Sequence, residues 1–325
     1  MKVIAKLNRI VALALASAWS MSAPAAEPYP SKTIRMIVPY GAGGGADIVA
    51  RAVAQKIGES MGQQVVVDNR PGAAGNIGSE LVARSLADGY TLLLVGPNHT
   101  TNVSLFSKLP FDPIKDFAAV SLLTAAPYIL EVHPSVPVRN LKELIALARA
   151  RPGALTYGSA GNGTPGHLAM EILKTRAKID MVHVPYRSSP ALLSELIGGQ
   201  ITVAFDNVLS STQNVQSGRL RAIAVSGSRR APALPAVPTV AESGLPGFDV
   251  TVWQGLLAPA GTPREIIARL QDEIAKGLRT PEMRERIAGM GAEVIASTPQ
   301  DFAKFIALDI DKWSKVIKAS GARID

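Results

Sequence analysis

The sequence predicts an α/β protein of two tandem units, each with a mostly parallel sheet and helices on both faces. Three observations carry this. Short aliphatic runs alternate with segments of helical period along most of the chain. The alternation occurs twice, on either side of a proline-spotted connection. Each half also holds a glycine-rich turn that leads from a strand into a helix.

The first unit opens with Ile34–Pro39, an apolar run of buried-strand type, and Ile48, Val49, Ala52, Val53 and Ile57 then follow at helical spacing. Val65–Val67 is the next strand, and Ile77, Leu81, Val82 and Leu86 mark a second helix. The Asp88-Gly89 turn leads into the strand Thr91–Val95. In the second unit Asn140 caps a helix that runs to Ala150 and is stopped by Gly153. Strand Leu155–Tyr157, helix Pro165–Arg176 and strand Met181–Val184 follow. A helix then reaches Leu196 and is ended by Gly198-Gly199. Strands Ile201–Phe205 and Leu220–Val225 precede Ala231–Pro246, whose prolines read as an extended, surface-wrapping loop. A strand near Val250–Leu257, three helical patterns and a short strand at Glu293–Ala296 close the chain. That tail is too small to stand alone, so it is expected to complete one of the two units.

Residues 1–25 differ from the rest. Lys2, Lys6 and Arg9 precede an apolar stretch from Ile10 to Trp19, and Ala23-Pro24-Ala25 supplies the small residues of a signal-peptidase site. This predicts a secretory signal cut after Ala25 or one residue later. The apolar stretch is about half of the roughly 20 residues that a spanning helix needs. The segment carries three basic and no acidic residues, so cleavage lowers the formal net charge from +8 to +5. The remaining charges are interspersed, with no basic run that would suit nucleic acid.

The 325-residue chain is 47% hydrophobic, ample for a large core, and contains no cysteine. Disulfides, thiol catalysis and a cysteine-linked lipid are therefore excluded. His99, His133, His167 and His183 stand at spacings that match no metal signature. No cofactor or metal is expected.

The chemistry concentrates at two turns. The first is Tyr40-Gly41-Ala42-Gly43-Gly44-Gly45-Ala46-Asp47, and the second runs from Gly158 through Ala160, Asn162, Gly163 and Thr164 to Pro165. Glycine lets the backbone approach a ligand closely, and the free N–H groups of a helix start favour an anion. Thr164 stands as helix cap and Pro165 as first helical residue. Glycines also serve plain tight turns, but two equivalent turns at the carboxyl ends of strands favour a shared carboxylate site. Asn98-His99-Thr100 follows the third strand and either reaches the cleft or forms an ordinary polar loop. His167, in the first turn of its helix, either approaches the anion or packs against a carbonyl. Asp206 ends a strand and either receives a ligand amine or hydroxyl or caps the next helix. Gly41-x-Gly43-x-x-Ala46 with Asp68 also matches a dinucleotide fingerprint, which leaves an exported oxidoreductase as the alternative. The secretory signal counts against it, since soluble nicotinamide cofactors are scarce outside the cytoplasm.

From Tyr29 onward the chain carries YPSKTIRMIVPYGAGGGAD (29–47), VVVDNRPGAAGNIG (65–78), FDPIKDFAAVS (111–121), GSAGNGTPGHLA (158–169), HVPYR (183–187), LPAVPTVAESGLPGF (234–248) and GLLAPAGTP (255–263). In these motifs it resembles the Bug-type (TctC-like) receptors of the tripartite tricarboxylate transporter family. The resemblance implies a two-lobed periplasmic-binding-protein fold of type II, a Venus flytrap with a ligand cleft between lobes. Lobe 1 would comprise residues 26–125 plus 252–325, and lobe 2 residues 126–251. It further implies a monomeric, non-enzymatic periplasmic receptor that passes a small organic acid to membrane transporter subunits. The acid would be a di- or tricarboxylate, an acidic amino acid or an aromatic acid, held by backbone amides and water at Gly41–Asp47 and Ala160–Thr164. Many similar receptors carry Thr or Ser where this chain has Ala46, so one hydroxyl donor is missing here.

Overall fold

A computed structural model describes residues 29–289 and 291–320; the expected signal and its cleavage site lie outside these residues. In the body that begins at Lys32, β1 (Ile34–Val38), α1 (Gly45–Met61), β2 (Val65–Asn69), α2 (Asn76–Ala83) and β3 (Thr91–Val95) succeed one another as the periodicity predicts. β1 pairs in parallel with β2 on one side and β3 on the other. Four of its five residues are buried, because helices cover both faces, so it reads as one continuous apolar run. Gly62 ends α1 in the left-handed conformation, φ 67°, with its amide bonded to Gly58 O.

Asn98-His99-Thr100, read as either a cleft segment or a polar loop, opens a helix, α3 (Asn98–Leu105), and the proline-spotted connection contains β4 (Phe117–Val132), the longest strand among the described residues. β4 joins the two halves of the molecule. Up to Pro127 it pairs with β9 (Thr251–Pro259); from Tyr128 it pairs with β7 (Val203–Asn207), and from Ile129 also with β8 (Arg221–Val225). Between these lie α4 (Leu141–Ala150), β5 (Thr156–Ser159), α5 (Pro165–Ala177), β6 (Val182–Pro185), α6 (Ser189–Ile197) and α7 (Val208–Gln216). The expected cap of α4 is present: Asn140 Oδ1 accepts the Glu143 amide at 2.9 Å. β5 pairs in parallel with β6 and β7. The sheets are thus mixed. Strands β1–β3 and β5–β7 keep the expected parallel order, while every pairing through β4 or β9 is antiparallel.

The chain then closes with α8 (Arg264–Leu278), α9 (Pro281–Gly289), β10 (Glu293–Val294) and α10 (Pro299–Ser320). α8 packs on α1, and α10 on α3 and β4, so the tail completes the half that contains β1–β3. There Trp253, Phe302, Phe117 and Leu257 share one core cluster. Phe302 approaches β9 so closely that a Cβ on Gly255 would fall 2.0 Å from its ring, so only glycine fits at that position. Leu192, Leu196, Ile201 and Leu220 form a separate cluster in the other half. The proline-rich stretch differs from expectation as well. Ala231 and Val240 are fully buried, and the Val225 amide donates to Pro238 O at 2.9 Å, so the stretch is pinned to β8 rather than merely wrapping the surface. No helix among the described residues is long and apolar enough to cross a membrane.

Candidate functional site

The two glycine turns have one backbone design. The first leads from β1 into α1, the second from β5 into α5. Position by position they are 120 residues apart: Gly41 matches Gly161, Gly43 matches Gly163 and Asp47 matches His167. Gly43 and Gly163 both adopt the left-handed conformation, at φ 80° and 72°, where a side chain is strained. In each turn the amide of that glycine donates to a side chain four residues on. Gly43 N–H donates to Asp47 Oδ2, and Gly163 N–H donates to His167 Nδ1, both at 3.0 Å.

The acceptors sit in different surroundings. Asp47, 4% exposed, also accepts from Arg51 Nε at 2.9 Å and from Asn69 Nδ2 at 3.0 Å. Asn69 Nδ2 donates to Tyr40 O as well, tying both ends of the turn to β2. Burial pushes the Asp47 carboxyl up, but bonds from Arg51, Gly43 and Asn69 outweigh it and hold it below the usual carboxylate range. Tyr40 keeps part of its surface in solvent, yet its hydroxyl lies inside. Burial there raises its pKa, and a backbone bond from Gly96 partly opposes the rise.

His167 stacks on His183 at 4.1 Å between ring centroids, and His183 on Tyr157 at 4.7 Å. Burial lowers the pKa of His167, and lowers that of His183 to about 4 with help from the charge His167 would carry. Ser159 Oγ lies 2.7 Å from His183 Nε2 and donates to Gly161 O at 3.0 Å. This spacing is that of a serine nucleophile and its base. Ser159 is fully buried, however, and its proton already goes to Gly161 O.

Each turn leaves amides for an anion. Gly45, Ala46 and Asp47 precede the first bond of α1, from Ile48 N to Gly44 O; Gly166 and His167 precede that of α5, from Leu168 N to Thr164 O. Pro165 has no N–H, so the second turn offers one donor fewer. Gly41, Ala42, Gly43 and Asn162 are exposed, and Gly44 and Ala160 partly so. Neither turn contains Lys or Arg. Thr164 holds the cap position, but its hydroxyl donates to Gly161 O at 2.7 Å and caps nothing.

The remaining candidates divide. Asn98 is partly exposed at the start of α3. Thr100 is fully buried, its hydroxyl 2.7 Å from Asp309 Oδ2 of α10 and 2.8 Å from Pro97 O, so it faces the interior rather than a cleft. His99 is buried between Phe111 and Phe117, with Nε2 2.9 Å from Pro113 O. Asp206, 3% exposed, accepts from Ser189 Oγ, and burial raises its pKa to about 6. Beneath it Glu131 is fully buried, and Ser211 Oγ donates to it at 2.8 Å. Ser189, Ser211, Glu131 and His183 carry no local sequence signal, because their partners come from other elements: α6 packs Ser189 on Asp206, α7 packs Ser211 on Glu131, and the β5–β6 pairing sets His183 beside Tyr157. Asp68, the ribose acid of the dinucleotide alternative, is bonded to Arg35 Nε at 2.8 Å and Arg70 Nε at 2.9 Å. Its carboxylate is committed to two arginines, which leaves that alternative without its reading acid.

Known proteins share this chain's length and fold. The tripartite tricarboxylate transporter family receptor (TctC) matches residues 49–322. The protein BugT of Bordetella pertussis is 36% identical over 323 residues, 98% of each chain. An R. palustris protein solved with adipate is 36% identical, with TM-score 0.87 over 91% of this chain and 100% of that one. MatC from Rhodopseudomonas palustris, solved with malate, is 32% identical, with TM-score 0.82 over 89% and 100%. With its fold and both glycine turns in place, the chain belongs to the tripartite tricarboxylate transporter receptor family, as a solute-binding receptor.

Proposed function

We propose that this receptor works in the periplasm, captures a small dicarboxylate between two lobes and hands it to membrane transporter subunits, with no turnover. The carrying observation is the pair of equivalent glycine turns, one after β1 and one after β5. Lobe 1 is taken as residues 26–125 plus 252–325 and lobe 2 as residues 126–251. The change of partners along β4 at Pro127–Tyr128 supports that division. The ligand class is drawn from the relatives solved with adipate and malate.

The site would comprise Tyr40, Gly41, Gly43, Gly44, Gly45, Ala46, Asp47 and Asn98 from one half. Ala160, Asn162, Gly163, Thr164, His167 and Asp206 would come from the other. Backbone amides and helix dipoles carry the charge, and Asp47 and His167 act behind the turns they hold. A hydrogen bond to a charged group contributes about 1.5–3 kcal/mol. A few of them reach micromolar affinity, about −8.2 kcal/mol.

Calorimetry with adipate, malate and citrate tests the reading. One acid should bind saturably at pH 7.5 and emerge chemically unchanged. Scattering should show a more compact bound state, as expected of hinged closure. Absence of binding by every small carboxylate would sink it.

A further inference from the structure

We propose that His167 and His183 are positioning residues for the second glycine turn: His183 shields His167 as a neutral ring whose Nδ1 accepts the Gly163 amide, and protonation of His167 releases that turn. The consequence for anion capture rests on the solute-binding reading above; the device itself does not.

The geometry leaves His167 Nδ1 one role. It receives Gly163 N–H at 3.0 Å, so it carries no proton while the turn is formed. A proton there would set two N–H groups against each other and break the bond. Gly163 is buried and left-handed, φ 72°, so its amide has little other freedom. One face of the His167 ring is covered by His183 at 4.1 Å, their planes 9° apart.

His183 is fixed in turn. Tyr157 of β5 stacks on it, and its Nε2 meets Ser159 Oγ, which also donates to Gly161 O and accepts Gly161 N–H at 3.3 Å. Both glycines of the turn are therefore bound through this imidazole pair. The other charged groups facing the pair are Glu171 and Lys174 of α5. Lys174 Nζ lies 2.8 Å from Glu171 Oε1, which also accepts Tyr157 OH, so these largely satisfy one another. The lowered pKa values of both rings agree with a pair built to stay neutral.

The first turn lacks this sensitivity. Asp47 does the same work there as a permanent acceptor, fixed by Arg51 and Asn69. Acid should thus loosen one turn and spare the other.

Nitrogen-15 NMR of the ligand-free protein tests the device directly. The Gly163 amide should titrate in step with the His167 ring, with a midpoint below the ordinary 6.5, while the Gly43 amide stays flat between pH 5 and 8. In H183Q the His167 midpoint should move up as that ring is uncovered. A flat Gly163 amide while His167 titrates, or a proton on His167 Nδ1 at pH 8, overturns the proposal.

Calorimetry with adipate and malate then reads the consequence. H167N keeps an acceptor at the δ position, so at pH 7.5 it should recover most of the affinity that H167A loses. H167A should weaken binding by roughly three- to tenfold, as for one lost neutral hydrogen bond. The ratio of Kd at pH 5 to that at pH 7.5 should be larger for wild type than for H167N, in which the acid's own ionisation cancels. Tighter wild-type binding in acid would make His167 a direct cationic contact and overturn the proposal. If neither acid binds while Gly163 still titrates with His167, the positioning stands and the dicarboxylate reading fails.

Discussion

The turns at Gly41–Asp47 and Gly161–His167 solve one backbone problem with two chemistries. Each must hold a left-handed glycine and present the open end of a helix. Each does so by bonding the glycine amide to a side chain four residues on. The first uses a carboxylate kept ionised by Arg51 and Asn69, the second an imidazole kept neutral by burial. An acceptor at that position is what the geometry demands; whether it titrates is a separate choice. Two turns of one backbone design can thus differ in their response to acid.

The largest expected effect comes from breaking the geometry itself. Gly163→Val places a β-branched side chain at φ 72° in a buried turn. Left-handed backbone costs about 1–2 kcal/mol for such a residue, and the side chain also blocks backbone approach. Binding should become undetectable by calorimetry, with the circular dichroism spectrum retained. Retained micromolar binding would show that the second turn does not hold ligand.

Breaking only the acceptor should cost less. Asp47→Ala leaves Gly43 N–H, Asn69 and Arg51 without their shared partner, for a stability loss of about 1–3 kcal/mol in urea unfolding. Asp47→Asn preserves an acceptor and should recover more than half of that loss. Equal losses would mean that the charge, rather than the acceptor, holds the turn.

The third effect is a stability profile with opposing slopes. His183 has a depressed pKa, about 4, so the unfolded chain takes up its proton first and folding stability falls as pH drops from 6.5 toward 4. Asp206 has a raised pKa, about 6, so its contribution is present below 3.8 and is lost as pH rises through 6. Asp206→Asn should therefore gain on wild type between pH 4 and 7.5, by on the order of 2–3 kcal/mol. Melting curves at the two pH values read the difference directly, and a gain that does not change with pH would contradict the buried-acid assignment.

The smallest effect belongs to Arg51. Its side chain is 55% exposed and meets the buried Asp47 from the solvent side, where Gly43 and Asn69 also hold that carboxylate. Arg51→Ala should barely change affinity, since Gly43 N–H and Asn69 Nδ2 still hold the Asp47 carboxylate. Loss of binding in this variant would place a side-chain ion pair, and not the backbone, at the centre of recognition.

The sequence by itself determined the local parts of this molecule. Strand β3 and helix α4 run as their periodicity and capping residues indicate, and both glycine turns stand where strands meet helices. These features depend on neighbours a few residues apart, so the order of side chains settles them. Even the Gly43–Asp47 bond spans only four residues.

Only the tertiary structure decided the rest. β4 carries Pro127 and lacks strict alternation, because its two halves face different partners: Pro127 opposes Thr251 of β9, and Tyr128 opposes Asn207 of β7. Thr100 turned inward because Asp309, 209 positions away, waits there as its partner. The His167–His183 stack exists because β5 and β6 lie side by side, which places Tyr157 opposite His183. Pairings of this kind follow from which elements meet in the folded chain, and no short stretch of sequence contains both members.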